Sequence, residues 1–121
     1  MTTERVGAVL AQIELDSDRV PPAFAITTTD LGDTIALSVA GELDAVTAPE
    51  LQAAILAANT HCSRLVVDLS ELTFIDSIGM SILLGAKKLS REQSFQLFVI
   101  PSEHDGVTRV FALTDATKAL I

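Results

Sequence analysis

From Leu65 to Leu84 the chain reads L-V-V-D-L-S-E-L-T-F-I-D-S-I-G-M-S-I-L-L. Its opening, Leu65–Asp68, is a continuous apolar run closed by an acid. That pattern predicts a short central strand covered on both faces. Phe74-Ile75 then leads into the polar pair Asp76-Ser77, and Ile78–Glu92 reads as a helix. Met80, Leu83 and Leu84 make one apolar stripe on it, and Ile82, Ala86 and Leu89 make another. Strand, polar loop and helix in one stretch are the first half of a parallel crossover unit.

The flanking segments extend the same pattern. Upstream, Phe24–Thr29 is rich in β-formers, Asp30–Asp33 is a turn, and Thr34–Ala40 alternates Ile35, Leu37 and Val39 with smaller residues. This is a hairpin with one buried face. Thr47-Ala-Pro-Glu50 opens a helix, with Thr47 as cap, Glu50 as its capping-box partner and Pro49 in the first turn. Leu51, Ala54, Ile55 and Ala58 form its stripe, and it ends near Asn59. Downstream, Phe95–Ile100 is a strand stopped by Pro101, and Gly106–Leu113 is a third helix. The predicted order is β-β-α-β-α-β-α. Such an order makes an α/β fold with right-handed crossovers and helices packed on the sheet.

The chain has 121 residues, enough for one ordinary domain. Residues 1–22 read as an N-terminal extension and residues 23–121 as the domain. In the extension, Val6, Val9, Leu10 and Ile13 follow helical spacing, and Pro21-Pro22 ends any continuation. A short helix and a disordered or loosely docked segment are both compatible with it.

Composition narrows the function classes. Eight basic residues against sixteen acidic ones leave a net charge of −8. That argues against nucleic acid and against an anionic membrane surface as partners. The single cysteine, Cys62, excludes an internal disulfide framework and a cysteine-based zinc cluster. It reads as a small hydrophobe at a helix-to-strand junction. No apolar run approaches the ~18 residues that span a bilayer. No basic segment followed by an apolar one marks a signal peptide, which makes the cytoplasm the expected location.

The Asp76-Ser77 pair invites two readings. Ser77 sits where a helix N-cap belongs, and its hydroxyl can accept a backbone N–H. Alternatively, the hydroxyl is a modification point. A phosphate there gains from the helix dipole and free amides. It also adds about −1.5 to −2 charges beside Asp76, which a docked partner must desolvate. Gly79 in the first helical turn allows close approach, either of another molecule or of a neighbouring strand. Asp44 ends the G-E-L-D stretch after the second strand, so its loop can share the Ser77 end of the sheet. It is either a solvated turn acid or a group that contacts a kinase-bound metal or bonds near Ser77. Lys87, Lys88 and Arg91 read as a solvated face.

Two stretches together resemble a known family. Gly41–Leu51 (G-E-L-D-A-V-T-A-P-E-L) and Leu65–Ala86, which contains D-S-I-G, resemble the STAS domain, most of all the bacterial anti-sigma factor antagonists. The resemblance runs from Phe24 to Phe111. It implies a STAS-like, mixed, mostly parallel sheet of about four to five strands with helices packed against it. It also implies partner switching in a stress response. The unphosphorylated antagonist binds an anti-sigma factor with serine kinase activity and so frees a sigma factor. Phosphorylation of Ser77 ends the complex, and a phosphatase resets it. Carried over by motif, Ser77 is the acceptor, Asp76 and Gly79 shape its loop, and Asp44 is the neighbouring acid. Ile78 and Met80 belong to the contact surface at the start of the second helix. The resemblance implies no catalysis, no cofactor and no metal, and a monomer or weak dimer. Many relatives carry Ser or Thr after the acceptor; here Ile78 leaves Ser77 as the sole hydroxyl of the D-S-I-G loop.

Two rivals remain. A catalytic serine needs a base, and the sequence offers only His61 and His104, with no G-x-S-x-G elbow and no Walker pattern. A non-switching STAS subunit of a transport or signalling complex would dock permanently to an ATPase partner, with Ser77 a mere cap.

Overall fold

The computed structural model describes residues 23–121. The extension, including its apolar stripe, lies outside the described residues. Strand β1 (Ala25–Asp30) turns back into β2 (Thr34–Leu43), and the two pair antiparallel from Ala25–Ala40 to Asp30–Ile35. The turn closes through the Gly32 amide donating to Asp30 Oδ1 at 2.9 Å, with Gly32 at φ +88°. Helix α1 (Ala48–Ala58) crosses to β3 (Arg64–Ile75), and helix α2 (Ser77–Gln93) crosses to β4 (Gln96–Ile100). Helix α3 (Asp105–Leu113) and a short α4 (Ala116–Leu120) complete the chain. The sheet order is β1-β2-β3-β4, with β2–β3 and β3–β4 parallel. The expected mixed, mostly parallel sheet is therefore present with four strands.

The sequence reading split β3 where the structure continues it. Asp68 read as the acid that closes the strand, and the residues after it as lying outside it. Those residues instead continue the strand through two β-bulges: between Ser38 and Ala40 the partner advances from Asp68 to Glu71, and between Gly41 and Glu42 it advances from Leu72 to Phe74. Each bulge places one extra residue on β3 and adds local twist. Asp68 Oδ1 accepts from the Ser70 amide at 2.9 Å, and the Thr73 hydroxyl donates to the Gly41 carbonyl at 3.1 Å. Gly41 adopts φ +94°, and a Cβ there would lie 2.8 Å from Phe24 Cα.

One face of the sheet builds the core. Ile35, Leu65 and Leu97 align across three strands, as do Leu37, Val67 and Val99, and all six are buried. Leu51, Ile55, Met80, Leu83, Val107 and Phe111 of the helices pack against them. On the other face, Val66 is half-buried while Phe98 and Ile100 are exposed. The double coverage expected for Leu65–Asp68 is thus corrected: among the described residues only one face is covered. Helix α4 went unread because it is five residues long. It contributes buried Ala116 and Leu120.

Candidate functional site

Asp76, not Ser77, caps α2. Its extended backbone (φ −111°, ψ −175°) aims the side chain down the helix, and Oδ1 accepts from the Gly79 amide at 2.8 Å. The N-cap expectation for Ser77 is therefore corrected. Ser77 is the first helical residue and is exposed. Among the described residues no group hydrogen-bonds its hydroxyl.

Gly79 explains how two separate motifs meet. A Cβ on it would lie 2.6 Å from the Leu43 carbonyl oxygen and 2.8 Å from Leu43 Cγ. The bare backbone lets the first turn of α2 lie against the end of β2. The Asp76 amide donates to that same Leu43 carbonyl at 3.1 Å. The strand-packing reading of Gly79 is the one observed. Because residue 43 is held to residue 76, the Asp44 loop and the Ser77 loop emerge side by side.

Asp44 is turned into its own loop. Oδ1 accepts from the Val46 amide at 3.0 Å and the Thr47 amide at 3.1 Å, and the Thr47 hydroxyl, whose one proton it shares with the Glu42 carbonyl, lies 3.2 Å away. The Thr47 amide above all, then the Val46 amide, holds the carboxyl below the ordinary carboxylate value, against a partial desolvation that raises it. Such donors favour the ionised form. The capping box expected for Thr47 and Glu50 is not formed. The Thr47 hydroxyl instead donates to the Glu42 carbonyl at 2.8 Å and accepts from the Asp44 amide at 3.0 Å. Among the described residues no hydrogen bond joins Asp44 to Ser77.

The surroundings of Ser77 are apolar. Ile78 is 47% exposed, and Val46, in the adjoining loop, is 86% exposed. A groove between α1 and α2 continues this surface, lined by Gln52, Leu56, Ser81, Ile82, Gly85 and Leu89. Met80 does not take part: it is 3% exposed and belongs to the core, which corrects its place in the contact surface. Val46 was missed by sequence reasoning. The available signal was a β-branched apolar residue inside a turn that needs none.

The geometry also bears on a nucleophilic serine. His61 precedes β3, so the length of that strand separates it from Ser77. His104 follows β4 at the Ser77 end, but its Nδ1 accepts from the Gly106 amide at 3.1 Å and caps α3. Among the described residues no group of three His, Cys, Asp or Glu gathers as a metal site, and no helix is long and apolar enough to cross a membrane.

A four-stranded mixed sheet with an exposed serine at the start of a capped crossover helix defines an α/β domain that presents a hydroxyl at one end of its sheet. The family model described as "Mlab, STAS domain" matches residues 26–121. The anti-sigma-B factor antagonist of Listeria monocytogenes is 34% identical over 83 residues, 68% of this chain and 72% of that protein. The anti-sigma-F factor antagonist RsfB of Mycobacterium tuberculosis is 34% identical over 79 residues, 62% of this chain and 63% of that protein. Among solved structures, an anti-sigma factor antagonist from Mycobacterium paratuberculosis superposes with TM-score 0.67 at 32% identity, covering 84% of this chain and 86% of that one. Unphosphorylated SpoIIAA shares the fold, with TM-score 0.65 at 22% identity over 82% of this chain and 86% of that one. The chain belongs to the STAS-domain family, and these relatives are anti-sigma factor antagonists.

Proposed function

We propose that this protein is an anti-sigma factor antagonist whose docking surface is switched off by phosphorylation of Ser77. The exposed hydroxyl of Ser77 at the N-terminus of α2, beside exposed Ile78 and Val46, carries this reading. The names of its relatives support it. The partner is an anti-sigma factor with serine kinase activity. It docks over Ile78, Val46 and the α1–α2 groove, and its sequestered sigma factor is released. In the reverse step the Ser77 oxygen attacks the γ-phosphorus of ATP bound to the partner, ADP leaves, and the hydroxyl proton passes to a base on the kinase. The new dianion meets apolar surface that it cannot share without losing its hydration. A phosphatase restores the hydroxyl by hydrolysis. Asp76 and Gly79 hold the loop, Asp44 holds the adjoining one, and Met80 supports both from below.

The test is incubation with a candidate anti-sigma kinase and ATP, followed by peptide mass mapping and binding measurements. Phosphate should map to Ser77. Ser77→Ala should bind and remain unmodified, and Ser77→Asp should lose binding. The rival reading is a non-switching STAS subunit docked permanently to an ATPase partner. In that case Ser77→Asp keeps its full partner affinity, and the switching proposal fails.

A further inference from the structure

We propose that β4 pairs antiparallel with the β4 of a second copy of this chain, with Phe98 opposite Phe98 on a two-fold axis. Among the described residues β4 hydrogen-bonds to β3 alone, so its outer edge is open. Sheet edges that stay single ordinarily carry a charge, a proline or a bulge. Gln96–Ile100 (Q-L-F-V-I) has neither charge nor proline, and its register with β3 is unbroken. The outer strand on the other side, β1, differs, because A-I-T-T-T-D is polar and closes on Asp30. A groove along β4, lined by Lys87, Arg91, Gln96, Leu97 and Phe98, leaves its edge open to approach.

The backbone selects the register. The Gln96 amide donates to the Ser63 carbonyl at 2.9 Å, so Gln96 turns its peptide groups toward β3. Successive residues of a strand alternate in this direction. Phe98 and Ile100 therefore also serve β3, while the amides and carbonyls of Leu97 and Val99 point to the open edge. With Phe98 on the axis, Leu97 of each copy lies opposite Val99 of the other, and every outward amide meets an outward carbonyl. An axis at Leu97 would set Val99 against Phe95, whose amide already donates to Ser90. An axis at Val99 would set Leu97 against Pro101, which has no amide.

The same register matches charge. Behind the Gln96 end, the last turns of α2 carry Lys87, Lys88 and Arg91 against Glu92 alone. Beyond the Ile100 end the chain runs on to exposed Glu103 and Asp105. Antiparallel pairing lays the basic end of each copy beside the acidic end of the other. A two-fold contact of this kind uses the same edge on both copies and so closes on itself. It shares no residue with the α1–α2 groove, and Ser77 stays accessible.

The experiment uses the full chain. So short an interface is weak, and light scattering should show the mean mass rising from one chain toward two between about 10 μM and about 1 mM. Amide exchange at Leu97 and Val99 should slow by about threefold or more at the upper concentration, since only pairing protects those amides. In a Cys62→Ser background, Phe98→Cys should form a disulfide between copies on mild oxidation, because residues facing each other at this position sit about 4.5 Å apart. Gln96→Cys, also exposed, should not, since it faces Ile100; mixed with Ile100→Cys it should. Phe98→Lys should keep the urea midpoint of the single chain and abolish the association, because it sets like charges opposite each other. Lys87→Glu with Arg91→Glu should weaken pairing, and mixing that variant with Glu103→Lys should recover it. A mass of one chain at every concentration overturns the proposal, as does growth beyond two chains. So does a Gln96→Cys cross-link as abundant as that of Phe98→Cys, or association that survives Phe98→Lys.

Discussion

Gly79 has no room for a side chain, because the Leu43 carbonyl and side chain already occupy the place where a Cβ would go. Gly79→Ala should cost about 1–3 kcal/mol, read as a lower urea midpoint, because the first turn of α2 must back away from β2. An unaltered midpoint would show that the junction yields freely. Asp44 acts through charge. Its carboxyl titrates below the ordinary value of 3.8 when folded, so the stabilisation it supplies is fully present above that value. It is lost as pH falls through the folded value. Asp44→Asn should therefore flatten the fall of stability on the acid side, measured by urea unfolding from neutral pH downward. A slope as steep as that of the parent protein would assign the acid sensitivity elsewhere.

At the scale of elements, α2 depends on its cap. Asp76→Ala removes the acceptor for the Gly79 amide and should cost about 1 kcal/mol, detectable as a lower thermal midpoint. Asp76→Asn, which keeps an acceptor, should recover most of it. The hairpin and the three longer helices were legible in the sequence because their apolar residues repeat with periods that admit one answer. The continuity of β3 was not. A bulge interrupts alternation in the same way that a turn does, and only the partner strand distinguishes them. Cap assignment failed for a related reason. Two adjacent oxygen-bearing side chains, Asp76 and Ser77, both satisfy the capping pattern, and the backbone angles decide between them. Thr47 looked like a capping-box residue, but Asp44 takes the Thr47 amide that Glu50 would have accepted from.

At the scale of the molecule, Ser77 stands clear of the packed interior, while Leu43, Gly79 and Met80 beneath it are buried. Ser77→Asp should accordingly unfold within about 0.5 kcal/mol of the parent protein, since surface changes away from core features are small. The positive end of α2 also favours an anion there. A large loss of stability would mean that added charge melts the helix rather than altering a docking surface. The convergence of Asp44 and Ser77 at one end of the sheet was legible from element order, because both follow parallel strands. The apolar rim was not, since exposure of Val46 and Ile78 and burial of Met80 depend on how α2 seats against β2.

Strand β3 is paired with β2 as far as Ile75 and with β4 from Arg64 to Asp68, and a further amide connection, from Asp76 to Leu43, is made just before Ser77. The segment has no slack to be drawn out as a ribbon into an enzyme's cleft. Under the proposed function, the kinase must come to the intact domain and read a shape assembled from distant parts of the chain. A short synthetic peptide bearing the same letters would be a poor substitute, because it lacks the neighbours that give those letters their form.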